Sequence, residues 1–242
     1  MKSFRQKEMI EILFREGMIT TADAAKHFGV STETIRRDLD QLEKQGVLKK
    51  NYGGAELIKP CRDSKATIAA RAASYVSNNS TIALDAGTSV LELCPYLKEK
   101  ENLIIISSDV HASAELSTSG NNKVYIMGGF LAPDGTSSGT FAKEFLNNIA
   151  GIDVFMFSAD GADWEVGLST NEAGVNNLKK LYLKKAQKRI AMIDQSKFFK
   201  KAFYKMCPFS DIDVLITDSL TPPDIIDNIR RRGTKVDVVT AF

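Results

Sequence analysis

A chain of 242 residues, 43% apolar and 26% charged, is long for one compact domain and sufficient for two. This composition excludes wholesale disorder, collagen-like repeats and coiled-coil rods. The best apolar runs, Leu103 to Ile106 and Val154 to Phe157, fall far short of the roughly 18 residues of a membrane helix. The 32 basic residues nearly balance the 30 acidic ones, with a net of +2 in residues 1–60 and zero in residues 61–242, so net charge alone does not point to nucleic acid.

The opening MKSFRQKEMIE is charged and has no signal-peptide apolar core. Cys61, Cys94 and Cys207 lie too far apart in sequence for a disulfide framework or a zinc cluster. A reducing cytoplasm is the expected compartment, and neither a metal site nor a cofactor is expected.

The first sixty residues read as short helices. Ile10, Leu13 and Phe14 sit at i, i+3 and i+4 in a segment that stops at Gly17. A second helix starts after Thr21 as N-cap, buries Ala24, Ala25 and Phe28, and ends at Gly29. Ser31 caps a third, whose Ile35, Leu39 and Leu42 share a face and which ends at Gly46. Two extended stretches, Val47 to Tyr52 and Ala55 to Leu57, flank Gly53-Gly54 as a β-hairpin. Helix, helix, turn, helix and basic hairpin is the layout of a winged helix-turn-helix. The third helix offers Ser31, Thr32, Thr34, Arg36 and Arg37 to phosphates and base edges. Lys49, Lys50, Asn51 and Tyr52 supply the wing, and Thr20 and Thr21 at the second helix start complete the candidate DNA face.

The string Val30-Ser31-Thr32-Glu33-Thr34-Ile35-Arg36-Arg37-Asp38-Leu39, followed by Leu42-Glu43 and Tyr52-Gly53-Gly54-Ala55, resembles the DNA-binding domain of the DeoR family of bacterial transcriptional regulators. The resemblance covers about residues 3–58. The wing sequence Lys49-Lys50-Asn51-Tyr52 departs from the usual Arg and His but keeps the charge.

Residues 58–66 read as a linker broken by Pro60, with an alanine-rich helix over about 67–78. Beyond residue 80, short β-rich runs alternate with helical ones. The expected strands are Thr81–Leu84, Leu103–Ile106, Lys123–Met127, Val154–Phe157, Arg189–Ile193, Val214–Thr217 and Val236–Val239. Helices fall near 88–98, 110–117, 140–149, 171–187 and 222–231. This rhythm predicts an α/β unit with a parallel sheet and a site at the strand carboxyl ends. The divisions are 1–58 for the winged helix, 59–74 for the linker and start of a connecting helix, and 75–242 for the α/β unit.

The strand ends deliver Asp85, Gly87, Thr88 and Ser89; Ser107 and Ser108; Gly128 and Gly129; Asp160 and Gly161; and Asp194 and Lys197. Gly, Ser and Thr suit phosphate, carboxylates suit sugar hydroxyls, and Lys supplies charge. Singly, each has a bland reading as a turn, a cap or a surface lysine. Their shared placement after strands favours a site.

Asp85-Ala86-Gly87-Thr88-Ser89, Gly128-Gly129, Gly139, Asp160-Gly161, Gly167, Glu172-Ala173, Asp194-Gln195-Ser196-Lys197-Phe198 and Asp213 to Thr217-Asp218 resemble, in order, the effector-sensing domain of the same family. That resemblance implies a fold like ribose-5-phosphate isomerase and CoA-transferase-like proteins, a phosphorylated sugar or related metabolite as effector, and Glu172 within its site. Ser89, Ser107-Ser108 and the stretch after Glu172 depart from the family's usual residues, which implies an atypical ligand or weaker binding.

The reading is therefore a metabolite-controlled regulator, a repressor by family habit, with operator DNA as partner and a homodimer or homotetramer as assembly. Two alternatives stay open. One is a sugar-phosphate isomerase-like enzyme fused to a DNA-binding module, with Asp160, Asp194 and Lys197 as reacting groups. The other is an interaction module that binds no DNA. Trp164 and His111 read as packing and helix-surface residues, Tyr182 and Leu183 as core, and Arg230-Arg231-Arg232 as solvated charge at a helix end.

Overall fold

The structure is a computed structural model that describes residues 4–44, 48–57 and 62–240. Val47, Gly46 as a helix end, and Pro60 and Cys61 in the linker lie outside the described residues, as does the side chain of Phe14.

The N-terminal unit consists of α1 (Phe4–Glu16), β1 (Met18–Thr20), α2 (Thr21–Phe28), α3 (Thr32–Lys44), β2 (Leu48–Asn51) and β3 (Gly54–Leu57). Met9, Ile10 and Leu13 of α1, Ala24 of α2, and Ile35, Leu39 and Leu42 of α3 close one core with Ile19, Leu48 and Ala55. Their helical spacing puts them on facing stripes. Thr20, rather than Thr21, caps α2: its hydroxyl accepts the Asp23 N–H at 3.0 Å. Gly29 ends α2 in the left-handed region at φ 64°. The Ser31 hydroxyl accepts the Thr34 N–H at 3.2 Å, as a cap should.

The hairpin β2–β3 turns over Tyr52-Gly53, and β1, which is too short to show a period, adds to its far side to give the order β1-β3-β2. Gly54 permits this. A Cβ there would lie 2.1 Å from the Ile19 carbonyl oxygen, so only a glycine lets β1 and β3 close.

One buried polar cluster ties α1 to α3. Asp38 is 6% exposed and accepts Arg5 Nε at 2.6 Å and Gln6 Nε2 at 2.9 Å. Replacing Asp38 with Ala removes the acceptor that Arg5 and Gln6 share and leaves Gln6 Nε2 with Gln41 Oε1, at 2.6 Å. It is expected to cost about 1.5–3 kcal/mol, read from urea unfolding of the two proteins; a change below about 0.5 kcal/mol would show that the cluster is incidental.

The C-terminal unit runs α4 (Arg62–Ala73), β4 (Thr81–Leu84), α5 (Thr88–Leu91), α6 (Cys94–Leu97), β5 (Ile104–Ser107), α7 (Val110–Ser117) and β6 (Lys123–Ile126). It continues through β7 (Phe130–Leu131), β8 (Ser137–Ser138), α8 (Thr140–Asn148), β9 (Ile152–Phe157), β10 (Gly161–Asp163), β11 (Gly167–Thr170) and α9 (Ala173–Lys185). It closes with β12 (Ala186–Met192), β13 (Tyr204–Cys207), β14 (Val214–Asp218), α10 (Pro223–Arg231) and β15 (Lys235–Val239).

Seven of these strands form one parallel sheet, ordered β15-β14-β12-β9-β4-β5-β6. All seven coincide with the expected runs to within three residues at either end. Alternate side chains sort to opposite faces. Ile82, Leu84, Val154, Met156, Ile190 and Met192 meet α4, α5, α6 and α7 on one face. Ala83, Phe155, Phe157, Ala191 and Leu215 meet α8, α9 and α10 on the other, with Tyr182 and Leu183 in that core.

Two small antiparallel sheets, β10-β11-β13 and β7-β8, decorate this frame. They are short and rich in Gly and Ser, and carry no strong strand pattern.

Helix α4 corrects the expected linker. The chain is helical from Arg62, not from about 67, and α4 packs on the sheet. Its anchor is Asp237 of β15, which accepts Arg71 Nε at 2.7 Å and the Tyr75 hydroxyl at 2.6 Å. Cys94 and Cys207 are buried thiols, and burial pushes both up to about 12. Among the described residues no helix is long and apolar enough to cross a membrane, and no group of three or more His, Cys, Asp or Glu side chains is placed to hold a metal ion.

Candidate nucleic-acid interface and ligand pocket

On the N-terminal unit, α3 shows its apolar stripe to the core and its N-terminal half to solvent. Ser31, Thr32, Arg36 and Arg37 are exposed, and Thr34 is half-buried with its hydroxyl 2.9 Å from that of Ser31. The Arg36 and Arg37 guanidiniums lie 3.8 and 3.6 Å from Glu33, at 62% and 78% exposure. Such surface pairs hold little energy, so both arginines can turn to another anion.

On the wing, Lys49, Asn51 and Tyr52 are exposed, and Tyr52 stands out at the tip. Lys50 is committed elsewhere: its ammonium bonds Asp40 of α3 and its N–H bonds Glu43 Oε1. Of the expected face, Thr20 serves as a cap and Thr21 is buried, so neither presents a free hydroxyl beside α3.

In the C-terminal unit, strand order identifies one special place. From β4 the chain winds outward through β5 and β6, then crosses to β9 and winds outward the other way. The carboxyl ends of β4 and β9 therefore flank the topological switch point, where open α/β sheets leave a crevice. A cavity of about 190 Å³ lies there. It is lined by Ala86, Gly87, Thr88 and Ser89 after β4, and by Ser158, Ala159 and Asp160 after β9. Lys65, Asp134, Thr136, Thr170, Glu172, Val175, Lys179 and Lys197 complete it. The volume is below the roughly 300–1,000 Å³ of drug-sized sites and suits a small polar ligand.

Three lysines from three separated segments converge on this cavity. Lys65 of α4 donates to the Thr88 hydroxyl at 2.7 Å. Lys179 of α9 is 5% exposed, pairs with Asp85 Oδ2 at 2.7 Å and donates to the Ser158 carbonyl at 2.9 Å. Asp85 itself is 1% exposed and lies beneath the pocket rather than on its wall. Burial pushes its carboxyl up from the usual range, and the Lys179 ammonium and the Ser158 N–H at 3.1 Å oppose that shift. Asp134, Asp160 and Glu172 supply carboxylates around the rim. Asp160 is oriented by the Asn171 N–H at 2.8 Å.

Six of the expected effector residues thus line one cavity: Gly87, Thr88, Ser89, Asp160, Glu172 and Lys197. Others have internal roles. Ser107 and Ser108 are buried, the first accepting the Asp109 N–H at 3.0 Å and the second passing its carbonyl to Ser137. Gly129 closes against the backbone of Ser138, and with Gly128 it enters the β7–β8 ribbon instead of the pocket. Gly161 lies against the Lys200 carbonyl, and Asp194 caps the turn at Ser196.

Sequence reading missed Lys65, Lys179, Asp134 and Thr136. Lys179 carried a signal, since it falls three and four residues before Tyr182 and Leu183 on the apolar face of α9. Lys65 carried none, because its place depends on how α4 docks.

A larger crevice of about 550 Å³ lies between Ile10 of α1 and the C-terminal unit. Its rim holds Asp163, Glu165 and Asp224 against Lys201 alone, so it does not suit an anion. There Trp164 stacks on Arg232, 4.3 Å from ring to guanidinium, so Arg232 is exposed at the helix end as expected and also covers the indole.

A winged helix-turn-helix joined to a parallel α/β unit with a polar switch-point pocket defines a ligand-responsive DNA-binding class. The chain matches the DeoR-like helix-turn-helix domain over residues 5–61 and the DeoR C terminal sensor domain over residues 61–219. It is 32% identical to the HTH-type transcriptional regulator GolR of Listeria innocua, with 97% of each chain covered. It is 27% identical to the glycerol-3-phosphate regulon repressor of Escherichia coli, covering 92% of this chain and 93% of that one. Among solved structures it is similar to ribose 5 phosphate isomerase A of Neisseria gonorrhoeae, with TM-score 0.40, 17% identity, and 57% and 55% of the two chains covered. The chain belongs to the DeoR family of transcriptional regulators. Its relatives are named as regulators and repressors, not enzymes.

Proposed function

We propose that the chain is a repressor of carbohydrate-metabolism genes that binds operator DNA through residues 1–58 and is controlled by a phosphorylated sugar or related metabolite bound within residues 75–242. The residues 59–74 join the two. The observation that carries this reading is the convergence of Lys65, Lys179 and Lys197 with Thr88 and Ser89 at the switch point. Lysines and hydroxyls recognise a phosphate monoester, and the carboxylates of Asp160 and Glu172 accept sugar hydroxyls. On the DNA side, Arg36 and Arg37 of α3 enter the major groove while Lys49, Asn51 and Tyr52 lie along the flank. Two or four copies match the half-sites of a symmetric operator.

The test is a thermal-shift screen of phosphorylated sugars and sugar alcohols, with the free sugars as controls. A compound that binds only the native state raises Tm by mass action. The expected result is a rise confined to a phosphorylated compound and lost in Lys197→Ala. An equal rise with the free sugar, or an undiminished rise in Lys197→Ala, would show that the pocket is misassigned.

A further inference from the structure

Lys197 lines the switch-point pocket, and two residues later Phe199 packs against the N-terminal core. The short path between them is held firmly. The Gln195 N–H donates to Asp218 Oδ2 at 3.0 Å, and Asp194 caps the turn that Lys197 closes. Phe198 is 2% exposed in the core of the α/β unit and bridges Ala162 of β10. Phe199 then touches both cores, the one around Phe155 and Tyr182 and the one around Leu13 and Leu39. It shares the wall of the larger crevice with Ile10 of α1.

The backbone at Phe199 is unusual. Its φ is 60°, a left-handed conformation that among the described non-glycine residues is shared only with Asn79 and Asn102. Asparagine tolerates that region and phenylalanine does not. A strained bulky residue persists only where its surroundings hold it, and here they hold it from two units at once.

We propose that the segment Lys197–Phe199 couples occupancy of the switch-point pocket to the packing of the winged-helix unit. The proposal rests on the reading of that pocket as an anion site. An anion that draws the Lys197 ammonium inward shifts the backbone at Phe198 and Phe199. Because that backbone is strained, its relaxation withdraws the Phe199 ring from α1 rather than compressing the packed core around Phe198. The ligand works through its differential affinity for the two placements of the ring. The winged helix is thereby loosened against the α/β unit, which alters how paired copies present their recognition helices.

The test is hydrogen exchange on the full chain as wild type, Phe199→Gly and Phe199→Leu. Each is run alone, with glycerol 3-phosphate and with inorganic phosphate. Without any addition, Phe199→Gly is expected to speed exchange of the α1 amides about tenfold and leave β4 and β9 unchanged. Phe199→Leu, which keeps an apolar side chain, is expected to match wild type. Equal α1 exchange in wild type and Phe199→Gly overturns the coupling, whatever the two anions do. Where an anion protects residues 86–89 of the wild type, α1 exchange is expected to change with it, and Phe199→Gly is expected to keep the protection and lose that change. Protection at 86–89 with α1 unaltered in wild type, or altered equally in Phe199→Gly, also overturns the proposal. Absence of protection from either anion overturns the pocket as a phosphate site and with it the coupling, while the arm without addition still decides separately whether Phe199 holds α1 to the α/β unit.

Discussion

Replacing Asp85 with Ala is expected to destabilise the protein by about 3–5 kcal/mol, because it leaves the Lys179 ammonium buried without its counter-charge. The pair is 2.7 Å apart, with side chains 2% and 7% exposed, and the Ser158 carbonyl at 2.9 Å is then the ammonium's remaining protein partner. The cost lies in the orphaned charge rather than in the net worth of the pair. The double variant Asp85→Ala/Lys179→Met is therefore expected to recover most of the loss, since a buried pair replaced by apolar groups is often close to neutral. A double-mutant cycle by urea unfolding reads this directly. Single losses that simply add would show that the two groups do not depend on each other. The recovered double variant also separates folding from sensing: it is expected to fold and yet give no thermal shift with a phosphorylated sugar, because Lys179 is gone from the pocket wall.

The second large effect falls on DNA. Arg36→Ala and Arg37→Ala are each expected to weaken operator binding by roughly 1–3 kcal/mol where the guanidinium makes a bidentate base contact. An arginine that contacts only phosphate is instead expected to lower the salt slope by about one and weaken all sequences alike. Stability should hold within about 0.5 kcal/mol, since both side chains are exposed and their pairs with Glu33 are loose. Fluorescence anisotropy at several salt concentrations separates the two kinds of contact. Unchanged affinity in both variants would remove α3 from the groove.

Much of this architecture is written locally in the chain. Residues such as Ile82 and Leu84, with Ala83 between them, alternate faces in a run bounded by turns, so the strand announces itself. Gly29 and Ser31 mark the turn between α2 and α3 because their conformations are set by neighbours a few residues away. The family strings around Arg36 and Asp85 extend that reading to a DNA-binding regulator.

What escaped depends on distance. Strand β1 has three residues and exists because Gly54 lets β3 approach Ile19. Lys65 reaches the pocket only through the docking of α4, 23 residues from the Thr88 it bonds. Ser107 looked equivalent to Ser89, since both follow strands, but the loop that carries Asp134 and Thr136 folds over the end of β5 and takes its place at the pocket. By sequence, Asp85 after the β4 strand stands as a ligand contact. Its neighbour Lys179, 94 positions on, makes it the floor beneath one.

The function proposed here has one phosphorylated metabolite, held at the switch point, governing DNA binding by the other unit. The most direct measurement takes a duplex selected by the purified protein from random sequence and titrates it by anisotropy, with and without the phosphorylated sugar that raises Tm. Binding is expected to be salt-dependent and to change at least about tenfold with this compound, a coupling of about 1.4 kcal/mol, with no change in Lys197→Ala and none from the free sugar. Operator affinity that stays the same with the compound bound, or that changes equally in Lys197→Ala, would contradict it.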